Sequence, residues 1–412
     1  MSIFWIALAA FAFGTEAFVI VGLLPVIAAD LQISLAATGQ LVTTYAIAYA
    51  VGSPILAVTF NNFDRKTVLI LALSCFIAGN LLAVAATSFP ALLISRIFMA
   101  LGAGLCAPTG LAIAVAIATP ERRGRAIALV SSGTTVATVL GAPIGTLIGN
   151  AFGWRSAFIL VALLGAIALA GLSFGLPRGL PRTTATLGQR LAVAKRGAVL
   201  HALAITVFWA ISGFTVFTYL SAPLRTLGFS SAEISFGLLI FGSAAAIGNL
   251  MGGALADRLG AVPTATLSLV ALMIVLTLQS VALKFVPPEY ARSAFVGLLF
   301  CWGFAGWSFY PAQVANLLTI ETGASTIAMS LNLSAMYFGF AVGGALGGVV
   351  LAALTPSDLG WVGGCAVAVA LTLILSGRRQ EVRKLGKIAG WWGAFGGFAG
   401  AESGLKTTRA RG

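Results

Sequence analysis

Charge is what this chain has least of. Of its 412 residues only 8% are Asp, Glu, Lys or Arg, and just 11 are acidic. A water-soluble domain of this length carries about a quarter of its residues charged, so a soluble globular enzyme is excluded. Histidine is nearly absent too. The single His201 sits near the start of an apolar run, five residues after Arg196, and it reads as an interfacial or hydrogen-bonded histidine or as one member of a proton relay. One histidine cannot build an HExxH site, and no apolar run holds a pair of aspartates, which argues against a membrane-embedded hydrolase. The four cysteines, Cys75, Cys106, Cys301 and Cys365, fall in four separate apolar runs without CxxC spacing. They read as small buried thiols, so neither a disulfide framework nor a thiolate metal site is expected. No cofactor is expected either. No basic segment precedes the first apolar run, and that run is too long for the core of a cleavable leader.

What the chain has in excess is apolar length. Hydrophobic residues make up 59% of it and the mean hydropathy is +1.03. Twelve runs, 4–29, 39–60, 67–87, 90–118, 126–150, 154–176, 198–222, 234–256, 262–283, 293–319, 325–354 and 360–375, are each of a length that spans or nearly spans a ~30 Å hydrocarbon layer. The expected fold is therefore an all-α polytopic membrane protein. The formal net charge of +13 does not indicate nucleic acid, because the basic residues lie in the gaps between runs rather than on one soluble face. Nineteen of them fall on the side that holds both termini if the N-terminus is cytoplasmic, against only Arg155, Arg225, Lys284 and Arg292 on the other. The positive-inside rule then places both termini in the cytoplasm.

Two charges remain inside spans. Glu16 lies in the first run, roughly 18 Å from its start at ~1.5 Å per residue, close to mid-bilayer. An acid there costs about 2.5 to 3.5 kcal/mol. It either faces water, a cation or a proton path, or it is protonated and hydrogen-bonded in a packing seam. Arg96, two turns into the fourth run, either partners Glu16 or snorkels to the nearer surface. Counting residues separates the two in depth by about 10 Å, so the two either pair directly or are bridged by a water or by the hydroxyl of Tyr45 or Tyr49.

The chain also repeats. Asn61-Asn62-Phe63-Asp64-Arg65-Lys66 follows the second run and Asp257-Arg258-Leu259-Gly260 follows the eighth; Gly22-Leu23-Leu24-Pro25 near the end of the first run is answered by Leu220-Ser221-Ala222-Pro223 near that of the seventh. Nearly equal offsets imply two parallel six-helix halves. The expected division is residues 1–176, a cytoplasmic linker over 177–197, residues 198–377, and a basic tail over 378–412, which either lies on the inner leaflet through Trp391, Trp392 and Phe395 or is disordered. The position matching Glu16 is then Phe214.

Gly253-Ala254-Leu255-Ala256-Asp257-Arg258-Leu259-Gly260 resembles the G-x-x-x-D-R-x-G loop of the major facilitator superfamily. In the first half that loop is degenerate, with Ala57, Asn61, Asn62 and Asp64 at the altered positions and Arg65 and Lys66 kept. Gly141-Ala142-Pro143-Ile144-Gly145-Thr146 is similar to the glycine-proline motif of proton-coupled antiporters. Together with Gly14-Thr15-Glu16 it looks like the drug:proton antiporter branch, nearest bacterial sugar, arabinose-polymer and purine efflux permeases. The resemblance implies a monomeric carrier in the bacterial inner membrane that exports small amphipathic solutes or drugs in exchange for protons by alternating access. It implies proton coupling at Glu16 and Arg96, and gating by Arg65, Lys66, Gly253, Asp257, Arg258 and Gly260. Gly141, Pro143 and Gly145 would form the antiporter motif, and the fifth and eleventh spans would lie across the boundary between halves.

Residue chemistry adds that Gly141, Gly145 and Gly149 share one helix face, as do Gly339, Gly343 and Gly347, which allows close helix approach. Pro143 removes a backbone donor and predicts a bend. A mostly apolar cavity using Tyr45, Tyr49, Asn249, Trp302, Gln313 and Asn332 suits a neutral or cationic amphipathic solute. Each of these side chains reads equally well as an interface anchor or a helix-to-helix contact. Export of a sugar, nucleoside or purine, a facilitator that ignores protons, and a transport-dead sensor are the alternatives.

Overall fold

The computed structural model describes residues 2–177, 179 and 187–377. The basic tail, with Trp391, Trp392 and Phe395, and the linker bases Arg178 and Arg182 lie outside the described residues. Twelve helices are long and apolar enough to cross a membrane: α1 (Ser2–Asp30), α2 (Leu35–Thr59), α3 (Arg65–Ala85), α4 (Phe89–Ile117), α5 (Arg123–Phe152), α6 (Trp154–Gly175), α7 (Gly197–Thr226), α8 (Ser231–Leu259), α9 (Ala261–Phe285), α10 (Pro288–Ile320), α11 (Ser325–Ala353) and α12 (Pro356–Gly377). A short linker helix, Leu187–Ala194, precedes α7.

Several helices outrun their apolar stretches because local capping extends them. Asp64 accepts from the backbone N–H of Lys66 and Thr67 and so starts α3 at Arg65. Ser230 and Glu233 form a capping box on α8, and Pro288 opens α10 five residues before its apolar run. Each device satisfies N–H groups that a helix start leaves without partners.

Packing divides the helices into two groups with the same internal pattern. In the first, α1 packs on α5 and α6, α3 on α4 and α6, and α2 on α4; in the second, α7 packs on α11, α9 on α10, and α8 on α10. Gly360 and Gly363 bring α12 against α9 and α7. The groups meet along α2 with α11 and α5 with α8.

That contact is concentrated on the face away from the linker. There the Tyr219 ring of α7 fills a notch bordered by Gly39 and Gly348, and its hydroxyl donates to the carbonyl of Ala36 (3.3 Å) or Gly344 (3.0 Å). Thr43 of α2 lies against Gly344. At mid-depth Tyr49 stacks on Tyr337 with ring centroids 3.7 Å apart. Towards the linker face the groups part. The Arg123–Val136 portion of α5 packs on α1 and α4 and leaves Ser131, Ser132 and Thr134 exposed, while α8 ends in exposed Asp257 and Arg258.

Charge is distributed to match. On the closed face Arg155 pairs with Asp30 (2.9 Å), Lys284 with Asp358 and Arg292 with Glu233. On the linker face Arg196 pairs with Glu321.

Candidate functional site

Glu16 and Arg96 form a direct ion pair, and both side chains are fully buried. Of the two arrangements left open by the sequence, direct pairing is the one found. Residue counting leaves out the reach of the arginine side chain, which covers the depth difference, and Arg96 turns inward instead of snorkelling. Three helices hold its guanidinium: α1 through Glu16, α2 through the Leu41 carbonyl, which accepts from Nε at 3.2 Å, and α4 through the Met99 sulfur at 3.7 Å. The Tyr45 ring lies under the guanidinium, 4.5 Å from its centre. The Tyr45 hydroxyl, Glu16 Oε2 and Arg96 Nη2 have no hydrogen-bond partner among the described residues. A buried pair of this kind is costly to break from one side, because the remaining charge is left uncompensated.

The glycine-proline motif sets where α1 runs. An added Cβ at Gly141 would strike Thr15, at Gly145 Val19 and at Gly149 Leu23, while one at Gly22 would strike Thr146. The two helices therefore interlock, and Glu16 follows directly after the residue that Gly141 admits. The stripe thus faces α1 of its own group rather than the other group. Likewise Gly339, Gly343 and Gly347 face α7, and only Gly344 and Gly348 look across to α2. The bend expected at Pro143 takes the form of a π-helical turn over Ala137–Gly141, which accommodates the donor that Pro143 lacks.

The loops behave unequally. Asp64 caps α3 and its Oδ1 accepts from the Gly179 N–H at 3.2 Å; Lys66 Nζ donates to the carbonyls of Ser173 and Leu176, both at 2.7 Å. Asp64 and Lys66 therefore fasten α3 to the end of α6 and do not reach across to Asp257. Gly253 and Gly260 flank the second loop, and Gly260 takes φ +94° to turn the chain into α9, a conformation that glycine adopts freely.

The residues expected to line a cavity do not converge. Gln313 donates to the Ala202 carbonyl at 2.7 Å, and Thr206 donates to Asn332 Oδ1 at 2.7 Å, so these amides tie α7, α10 and α11 together. Tyr45 and Tyr49 are engaged as described, and Asn249 is half-buried on α8. Of these side chains only Trp302 borders an aromatic chamber found among the described residues. This chamber is walled by Phe18, Trp209, Phe214, Phe217, Phe241, Leu272, Trp307 and Phe340 besides. Sequence reasoning missed nearly all of these, since aromatic residues in an apolar run look like ordinary core. The available signal was Phe214 at the position matching Glu16.

One motif needs dismissal. Gly171-Leu172-Ser173-Phe174-Gly175 fits G-x-S-x-G, but Ser173 lies inside α6 and its hydroxyl donates to the Leu169 carbonyl at 2.7 Å. A nucleophile elbow requires a strand-to-helix turn and a nearby base, and His201 instead meets the Leu373 carbonyl.

The sequence profile described as Major Facilitator Superfamily matches residues 6–224, more than half of the chain. The uncharacterized MFS-type transporter YbcL of Bacillus subtilis (strain 168) is 37% identical over 371 residues, which cover 90% of this chain and 93% of the relative. A chloramphenicol resistance protein of Streptomyces lividans is 30% identical over 378 residues, 90% of this chain and 94% of the relative. Among solved structures, that of a D-xylose-proton symporter superposes with a TM-score of 0.75 at 19% identity, covering 90% of this chain and 96% of the other, and so shares the fold. Twelve apolar helices, a profile match across most of the first half and relatives aligned nearly end to end place the chain in the major facilitator superfamily, as a multi-pass bacterial membrane transporter and not an enzyme.

Proposed function

We propose that this transporter exports small amphipathic solutes across the bacterial inner membrane in exchange for protons. The observation that carries this reading is the buried Glu16–Arg96 pair in an otherwise apolar bundle. The naming of one relative for chloramphenicol resistance supports an efflux role. The basic residues of the linker face make it the cytoplasmic side, with both termini there, so the arrangement described is open to the cytoplasm.

The ion pair is the deprotonated form of Glu16, which in this scheme accompanies the cytoplasm-open state after the proton has left. Protonation from the outer side neutralises the carboxyl and removes its attraction for the guanidinium. Arg96 keeps the Leu41 carbonyl and the Tyr45 ring, so α1 alone is released from α4. Gly141 and Gly145 let α1 move with α5, and α5 meets α8 of the other group. Solute is taken up from the cytoplasm while Glu16 is charged and leaves outside when it is protonated, which gives exchange. Asp257 and Arg258, with no ion-pair partner among the described residues, serve the closed cytoplasmic gate together with Gly253 and Gly260. Arg65 and Lys66 support that gate from within the first group. The chain works as a monomer, since two six-helix groups already enclose a path.

Transport in inverted membrane vesicles tests the scheme. Glu16→Gln is expected to abolish solute uptake driven by a pH gradient while the protein remains inserted and folded; full retention of gradient-driven uptake would remove Glu16 from the coupling step.

A further inference from the structure

The geometry points to a binding element that rests on the exporter reading yet lies apart from the proton site: the aromatic chamber receives the ring-bearing end of the solute, and Phe18 links its wall to the state of Glu16. The chamber reaches into the second group of helices, since Leu272 of α9 forms part of its wall and α9 packs on α8 and α10, away from the boundary. Phe217, Phe241 and Trp302 meet edge-on or tilted with centroids 4.7 to 6.2 Å apart, and Phe214 stacks on Phe340 at 3.5 Å.

Hydrogen-bonding capacity in this wall is nearly exhausted. The Trp209 indole N–H already donates to the Gly306 carbonyl at 2.9 Å, which leaves only the indole N–H groups of Trp302 and Trp307 among the wall side chains. A sugar or nucleoside entering it would lose water without replacement partners, which is costly for every hydroxyl. A flat ring, uncharged or with its charge spread over the ring system, gains stacking and cation–π contacts instead. The chamber also holds no carboxylate to pair with a compact ammonium group.

Phe18 is the only chamber residue contributed by the first group. It lies two residues after Glu16, about 200° around the helix at 100° per residue. Glu16 therefore faces Arg96 on one side of α1 while Phe18, on the other, meets Phe217 at 5.9 Å and Trp307 at 6.3 Å. A rigid helix that shifts when the ion pair forms or breaks carries the Phe18 wall with it.

Equilibrium dialysis of N-methylquinolinium against the full-length, detergent-solubilised protein at pH 6 and pH 8 tests this. Saturable binding is expected, undisturbed by excess D-xylose, and weakened about tenfold by Trp302→Ala but little by Trp302→Phe, which keeps a ring. Phe18→Ala is expected to retain binding while losing its difference between the two pH values. Thermal unfolding of each variant identifies any that fail to fold, and Phe241→Ala then serves as the second wall variant. Absence of saturable binding, displacement by D-xylose, or binding unaffected by the wall variants would overturn the chamber; an unchanged pH difference in Phe18→Ala would overturn the link. If the wild type binds the probe but Glu16→Gln still transports on a pH gradient, the coupling scheme fails and the chamber stands.

Discussion

At matching positions of the repeat, one group of helices carries a carboxylate and the other a benzene ring. Glu16 is held by an arginine on α4, with a second helix supplying a carbonyl and a tyrosine ring to the same guanidinium; Phe214 is held by stacking on Phe340. The scaffolds are alike in which helices touch, so the difference lies in the side chains set into a common frame. In the proposed scheme one half supplies the group that changes charge and the other the surface that binds an apolar solute. The loops divide similarly: Asp64 and Lys66 are fastened to the end of α6, while Asp257 and Arg258 are exposed at the end of α8.

The strongest way to break this contrast is to remove the partner of the buried acid. Arg96→Ala is expected to cost about 3 to 5 kcal/mol of stability, read by thermal unfolding in detergent, and adding Glu16→Ala to it should restore most of the loss. Placing a charge in the other half comes next. Phe214→Glu puts an unpaired acid among aromatic rings and is expected to destabilise by about 2.5 to 3.5 kcal/mol, which would show that the second group lacks a hidden cation. A stability unchanged by that substitution would mean the halves are electrostatically alike after all. Smallest is the loop contrast. Lys66→Ala, which loses two charged hydrogen bonds, is expected to cost about 1.5 to 3 kcal/mol, whereas Asp257→Asn should stay within about 0.5 kcal/mol.

Much of the frame was legible before any coordinates. Apolar length marked all twelve spans, and the recurrence at nearly one offset of the loops beginning at Asn61 and Asp257, and of Gly22–Pro25 and Leu220–Pro223, marked the repeat, because both are properties of order along the chain. What residue order could not convey was reach. Arg96 meets Glu16 directly because a long side chain bridges helices whose Cα positions differ in depth. The amides Gln313 and Asn332 looked like solute ligands because an intramembrane amide needs some partner, and sequence does not say that Thr206 and the Ala202 carbonyl stand beside them. The chamber was hidden for the opposite reason, since Phe217 or Trp307 is unremarkable in a greasy helix until the facing rings are known. The π-helical turn before Pro143 was half visible, as a predicted bend without its form.

The Tyr219 ring in its glycine notch has a bearing on how such a carrier idles. A hydroxyl hydrogen bond contributes about 1 kcal/mol net, and a shift of that size changes a two-state ratio several-fold. The time the protein waits with the face away from the linker shut thus hangs on one phenol and on the missing methyl groups at positions 39 and 348. Drift at those positions would retune its resting posture, and with it the concentration at which cargo is noticed, while leaving the Glu16–Arg96 pair untouched.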